Sequence, residues 1–171
     1  MSFKKIEPKH IEGNVIAAFD NGWGLVTAGT EDNFNAMTIS WGQMGCLWNR
    51  PVCTVYIRPC RHTYSFTEAN DRFTVSLFDP TECREPLMFF GTKSGHDTDK
   101  MHAPGLTHME IDGRIAYKEA KYVLVVKKLY SQQFDPALVP EEVRTTNYKG
   151  VADDDLHRQY ICLIEAAYER A

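Results

Sequence analysis

Short runs of β-branched, aromatic and small residues, separated by turn signals, recur along most of the chain, and this pattern constrains the fold more than any other feature. GWGLVTAGT (residues 22–30) reads as a strand, EDN (31–33) as a turn and NAMTISW (35–41) as the hairpin partner. TVYIRP (54–59), ended by Pro59, and RFTVSLF (72–78) are two more strands. RIAYKEAKYVLVVKKLYSQQF (114–134) carries two strands around KEA, the second long and rich in valine. QYICLIEAAYER (159–170) is a closing strand, with helix as the alternative because its apolar period is ambiguous. Two helical stretches interrupt the strands. In RHTYSFTEAN (61–70), Thr63 or Ser65 is expected as the cap, and Ser65 with Glu68 fits a capping box. PTECREPLMFFGT (80–92) is the other, with Pro86 expected to interrupt or restart it. GTKSGHDTDK (91–100) reads as a polar loop, and DPALVPEEVRTTNYKGVADDD (135–155) as an excursion over the surface. Many short strands with a few short helices predict one mainly β domain over residues 1–171, with a barrel-like antiparallel core instead of a doubly wound sheet.

A chain of 171 residues buries enough apolar surface to fold without disulfide or metal staples. Lysine and arginine number 19 against 23 aspartate and glutamate, a net charge of −4, so no basic stripe suits a nucleic-acid backbone. The first twenty residues carry scattered charges and no continuous apolar stretch, and no later run is long enough to span a membrane; a cytoplasmic location is expected. The five cysteines contain no C-x-x-C pair. Cys46, Cys53 and Cys60 are seven residues apart, a spacing that matches no zinc or iron–sulfur pattern, so reduced, mostly buried thiols are expected. His96, His102 and His108 recur at six-residue intervals, which does not stack side chains on a helix; no metal is expected. The glycine motifs of dinucleotide and P-loop sites and the G-x-S-x-G of hydrolases are absent.

The densest signal is NAMTISWGQMGCLWNRPVCTVYIRPCRHTYSF (35–66). The pattern N-x-M-T-I-S-W-x-x-x-G-x-x-W-x-x-P, followed by R-P-x-R-x-T-Y, F-T-V-S-L-F and G-T-K-S-G-x-D-x-D-K in order, resembles the flavin reductase-like family, in particular its flavoredoxin-like branch. The matching patches cover most of residues 22–104, and the C-terminal third matches mainly by its strand pattern. The resemblance implies an FMN-binding split β-barrel of antiparallel, Greek-key-like strands, usually a homodimer with the flavin near the subunit interface. It also implies NADH or NADPH as electron donor.

The residues make physical sense of that implication. A flavin ring is flat and mostly apolar with a polar edge, so it needs hydroxyl and main-chain partners beside hydrophobic surface. If 37–41 is extended, Thr38 and Ser40 face one side and Met37, Ile39 and Trp41 the other. Arg58 and Arg61 flank a strand-to-helix turn, where guanidinium groups and free helix N–H groups suit a phosphate; the resemblance adds Thr63 and Tyr64. Ser94, Gly95 and Lys100 of the loop supply donors and a cation for the phosphate or ribityl chain. His96 stands where relatives commonly carry arginine, and a neutral imidazole attracts an anion less. Of the tryptophans, Trp41 and Trp48 are the expected exceptions to core packing. The expected function is a flavin reductase-like FMN oxidoreductase, with an FMN electron carrier or a module that binds flavin without redox turnover as alternatives; the sequence does not separate the first two, and no catalytic acid or base is assigned.

Overall fold

The structure is a computed structural model that describes residues 2–171. Ten strands dominate it: β1 (Phe3–Ile6), β2 (Gly24–Thr30), β3 (Asn33–Ile39), β4 (Gly42–Leu47), β5 (Arg50–Ile57), β6 (Arg72–Leu77), β7 (His108–Ile111), β8 (Arg114–Tyr117), β9 (Tyr122–Gln133) and β10 (Arg158–Arg170). The helices are short: α1 (Val15–Ala17), which runs into a π-helical turn at Ala18–Gly22, then α2 (His62–Ala69), α3 (Arg84–Thr92) and α4 (Glu141–Asn147). One antiparallel sheet runs in the order β3-β2-β6-β9-β10-β5-β4, with β1 also paired to β10; β7 and β8 form a separate hairpin.

β10 explains how one sheet curls into a split barrel. On one side it pairs along its length with β9, with register shifts at Ile161/Cys162 and Ile164/Ala166; on the other it serves β5 through Arg158–Leu163 and β1 through Ala167–Arg170. Such irregularities bend a long strand pair and raise its twist. The helix alternative for this segment is therefore overturned: Tyr160, Cys162 and Ile164 alternate inward with Ile161 and Leu163 only half-buried, which is the period of a strand.

Both faces of the central strands are covered. Val26, Val75 and Leu124 point into the barrel interior with Met37, Ile39, Val55 and Phe73, while Leu25, Val123 and Val125 point the other way, under Leu87 and Phe90 of α3 and Tyr117 of β8. This double burial is why GLVTAGT and YVLVV read as apolar runs instead of alternating ones.

Several expectations need correction. GQMGCL forms β4, a strand not anticipated, hairpinned to β5 through Trp48 and Asn49, both at positive φ. HMEI likewise forms β7 against β8. The cap of α2 is Arg61, not Thr63 or Ser65, and the Ser65 hydroxyl donates to the His62 carbonyl within the helix. Pro86 does not interrupt α3: it lies in the first turn, where backbone N–H groups have no helical acceptor to lose. The excursion contains α4. All five thiols are free, but only Cys53 and Cys162 are buried; Cys46 and Cys60 are exposed. Burial pushes the Cys53 thiol up to about 12. Among the described residues, no helix is long and apolar enough to cross a membrane, and no group of three or more His, Cys, Asp or Glu is placed to hold a metal.

Candidate functional site

Two adjoining cavities, sharing Met37 and Arg61, lie between β3, the start of α2 and the end of α3. The first, of about 160 Å³, is lined by Arg61, His62, Thr63, Ser94, Gly95 and Lys100, with Asn35, Cys60 and Thr92 beside them. The second, of about 290 Å³, is lined by Met37, Thr38, Ile39, Ser40 and Trp41 together with Tyr56, Arg58, Gly91 and His157. Eleven of the twelve residues singled out in the sequence thus line this cleft. Tyr64 does not: its ring packs against the barrel core.

β3 delivers its residues in alternation as far as Ser40. Met37 and Ile39 are buried in the core, whereas Thr38 is half-buried and Ser40 exposed. The alternation fails at Trp41. β3 has ended at Ile39, and the unpaired Ser40–Trp41 segment turns the indole outward, 43 % exposed, over His157 (ring centroids 4.7 Å) and beside Tyr148 (6.3 Å). Trp48 lies on the β4–β5 turn and lines neither cavity. Thr38 is also less free than its alternation suggests, because its hydroxyl donates to the Leu87 carbonyl at 2.5 Å and ties β3 to α3.

The three cations singled out in the sequence have separate tasks. Arg58 pairs with Asp155: Nη2 donates to its carboxylate and Nε to its carbonyl at 3.2 Å, while the other carboxylate oxygen accepts from the Cys60 N–H at 2.8 Å. Burial would raise the Asp155 carboxyl, but the Cys60 N–H and Arg58 outweigh it and hold the group below the usual range. Both arginines line the larger cavity, as the sequence suggested, but Arg58 is already engaged by Asp155. Arg61 lines both cavities, and in the smaller one it stands with Lys93 and Lys100; its Nη2 donates to the Gly91 carbonyl at 2.6 Å. Lys100 is buried, with Nζ donating to the carbonyls of Ala36 (3.0 Å) and Phe90 (2.9 Å). An ammonium has three N–H donors, so one is left for the cavity. Burial, helped by Arg61, pulls its pKa down to about 8.

Gly95 is held by contact. A Cβ there would lie 2.3 Å from Asn35 Oδ1 and 2.6 Å from His62 Cδ2. Asn35 is fixed in turn, since Nδ2 donates to Thr63 Oγ1 at 2.6 Å. The loop backbone is thereby pressed against α2 and β3. His96 does not reach the cleft lining; its Nε2 lies 3.1 Å from His62 Nδ1.

Sequence reasoning missed Tyr56, Gly91, His157 and, behind them, Tyr148 and Asp155. His157 is held neutral: burial, then the Arg58 charge, lowers its pKa to about 4, and Tyr148 Oη lies 2.8 Å from its Nδ1. The available signal was D-x-H at 155–157 just before the closing strand, since strand ends commonly deliver site residues.

A family model described as a flavin reductase like domain matches residues 16–137. The chain belongs to the flavin reductase-like family. No curated protein matches it. Among solved structures, this flavin reductase-like chain is similar to an FMN-binding protein from Thermus thermophilus with bound p-hydroxybenzaldehyde, at 18 % identity over 97 % of this chain and 81 % of that one, TM-score 0.68. It is similar to flavoredoxin from Methanosarcina acetivorans at 19 % identity, over 97 % of this chain and 75 % of that one, TM-score 0.65. It also resembles the NADH:FAD oxidoreductase of Streptomyces globisporus C-1027, in complex with NAD and FAD fragments, at 14 % identity over 87 % and 74 %, TM-score 0.62. At these identities the likeness establishes a shared fold.

Proposed function

We propose that the chain, as one unit over residues 1–171, binds FMN across the paired cavities and acts as an oxidoreductase that draws electrons from NADH or NADPH. The observation that carries this reading is the division of one cleft into unlike ends. The smaller end has cationic and hydroxyl donors at the start of α2, which suits a phosphate monoester; the larger has apolar and aromatic walls with hydroxyls among them, which suits a flat ring with a polar edge. The donor set fits FMN, and the contact at Gly95 brings loop amides close to the phosphate end. The flavin-binding and nicotinamide-dependent structural neighbours support the same reading.

In this reading Arg61, Thr63, Ser94, Gly95 and the remaining Lys100 N–H hold the phosphate and ribityl chain. Met37, Thr38, Ile39, Ser40 and Trp41 form the wall for the ring, and Arg58 acts through Asp155 by seating the segment that carries His157. Bound FMN supplies the redox chemistry; the chain supplies orientation and electrostatics. Neutral His157 adds no positive charge beside the ring. The reading includes a cytoplasmic homodimer. β4 is the last strand of the sheet, and its free edge, GQMGCL, carries no charge or proline to deter pairing.

The test is anaerobic. FMN should bind at least about tenfold more tightly than riboflavin, given a charge-assisted phosphate contact. NADH or NADPH should then bleach the bound flavin saturably in stopped flow. Equal affinity for riboflavin would remove the phosphate assignment. Bleaching by dithionite alone would leave an electron carrier in place of the reductase, and sedimentation as a monomer with FMN bound would remove the dimer.

A further inference from the structure

A third cavity, of about 640 Å³, opens between α4, the end of β9 and the start of β10. It is larger than either part of the cleft and lies within the size range of small-molecule sites. Trp41 lines both this cavity and the ring end of the cleft. Two further contacts complete the partition between them. Tyr56, on the cleft side, packs on Phe134 of the third cavity with ring centroids 5.7 Å apart, and His157 meets Tyr148 at 2.8 Å. The two spaces are therefore separated by aromatic side chains, by the Trp41 indole alone at one place and by the Tyr56–Phe134 and His157–Tyr148 pairs beside it.

The lining defines the ligand chemistry. Phe134, Leu138, Val139 and Val143 supply apolar surface, and Leu138 is 80 % exposed, so its position contributes nothing to the core. The polar groups are mainly carboxamides, those of Gln132, Gln133, Asn147 and Gln159. The Gln132 carbonyl accepts from the Tyr130 hydroxyl, which leaves its N–H groups for another acceptor. Among the lining residues Asp135 carries the only full charge, and there is no lysine or arginine, in contrast to the Arg58, Arg61 and Lys100 of the neighbouring cleft. An anionic ligand would be desolvated beside a carboxylate with no cation to meet it. Gln133 and Asn147 already donate to the carbonyls of Leu156 and Val143, so a neutral arene that stacks on the aromatic partition offers its carbonyl oxygens to the amide N–H groups of Gln132 and Gln159.

We propose that this cavity is a second ligand site, for an uncharged aromatic carbonyl compound of the quinone class, separated from the cleft by Trp41 and its aromatic neighbours. The site goes beyond the FMN reading, and its binding can be measured whether or not flavin is present. The probe is duroquinone, whose fully methylated ring does not add to the exposed thiols of Cys46 and Cys60. Calorimetry and quenching of tryptophan fluorescence are carried out on the full chain, with and without FMN. Duroquinone should bind saturably, one per chain, and anthraquinone-2-sulfonate at least about tenfold more weakly. Val143→Trp, which fills the cavity, should weaken duroquinone at least about tenfold and leave FMN affinity unchanged. Leu138→Glu, at an exposed position that folding does not depend on, should do the same to a smaller degree. Equal binding of the sulfonate, or unchanged duroquinone binding in both variants, would overturn the proposal. So would wild-type protein that binds no duroquinone but changes from dimer to monomer on Leu138→Glu, since the face would then belong to a second copy of the chain. Loss of FMN binding with duroquinone binding intact would refute the flavin reading alone.

Discussion

The two ends of the cleft are built in opposite ways. The end proposed for the phosphate is made by segments that each announce themselves locally: Arg61 to Thr63 at the start of α2, and Ser94, Gly95 and Lys100 in the loop after α3. The end proposed for the ring takes one wall from β3 and a side chain, Tyr56, from β5, but is closed by His157 with Tyr148 and Asp155 behind it, and Asp155 is almost a hundred positions further along the chain than Arg58. In the proposed reading, charge does the binding at the first end. At the second Arg58 is neutralised by Asp155 and His157 by burial, Arg61 is shared with the first end, and the walls supply shape. A cleft of this kind can discriminate its ligand at one end and tune the ring's surroundings at the other, so substitutions at the two ends should fail differently.

The largest effect should come from Gly95→Val. The added atoms collide with Asn35 and His62, and Asn35 cannot yield without leaving Thr63. Overpacking of this sort costs about 3 kcal/mol, which at the phosphate end should appear as a roughly hundredfold loss of FMN affinity with riboflavin little affected. Titration with both flavins checks it, and a parallel loss for riboflavin would show that the two ends are not independent.

Next come the two arginines, identical in type and opposed in role. Arg61→Ala should weaken FMN by about 1 to 3 kcal/mol, the range for hydrogen bonds to a charged group, and spare riboflavin. Arg58→Ala should act on the fold instead. Its partly exposed pair with Asp155 is worth about 1 kcal/mol, so thermal unfolding should shift by a few degrees while the preference for FMN over riboflavin stays. If Arg58→Ala abolished that preference, both arginines would serve the phosphate.

The same contrast explains what could be read from the sequence. The hairpin of β2 and β3, the strands β6 and β9 and the helix α2 follow from local composition and turn residues, and the residues proposed for the phosphate sit in one short motif or the next. β4 escaped because GQMGCL has two glycines and no β-branched residue; it is a strand because β5 pairs with it. His157 and Tyr148 escaped for a related reason: D-x-H at 155–157 marks a strand end, but it does not say that this excursion folds back beside Trp41, since the contact is made only when β10 pairs with β5 and β9. Tyr64 errs the other way. It stands in the motif, but it is half a helical turn from the cleft and its ring is drawn into the core.

Acid should expose the ring end before the phosphate end. His157 has a folded pKa of about 4 against an ordinary 6.5, so between those values the unfolded chain binds more protons than the folded one and stability rises with pH. Stability contributed by neutral His157 is complete above about 6.5 and is lost as pH falls toward 4. Thermal unfolding followed from pH 7 to pH 5 should show a steeper decline for the wild type than for His157→Gln, which has no proton to take up. Equal slopes would mean that another group controls the acid response.

Ser40→Ala should have the smallest effect and decides how far polar contacts matter at the ring end. The hydroxyl is exposed, follows the last residue of β3 and lines the larger cavity beside Trp41. A neutral hydrogen bond from it to the polar edge of a flavin would contribute about 0.5 to 1.5 kcal/mol. Because riboflavin and FMN share that ring, the variant should weaken both equally, unlike Arg61→Ala, and the slope of unfolding against pH should stay as in the wild type. A loss confined to FMN would place Ser40 with the phosphate group and move the boundary between the two ends. No loss for either flavin would mean that the ring is held by the apolar and aromatic walls alone, with Ser40 facing water at the end of its strand.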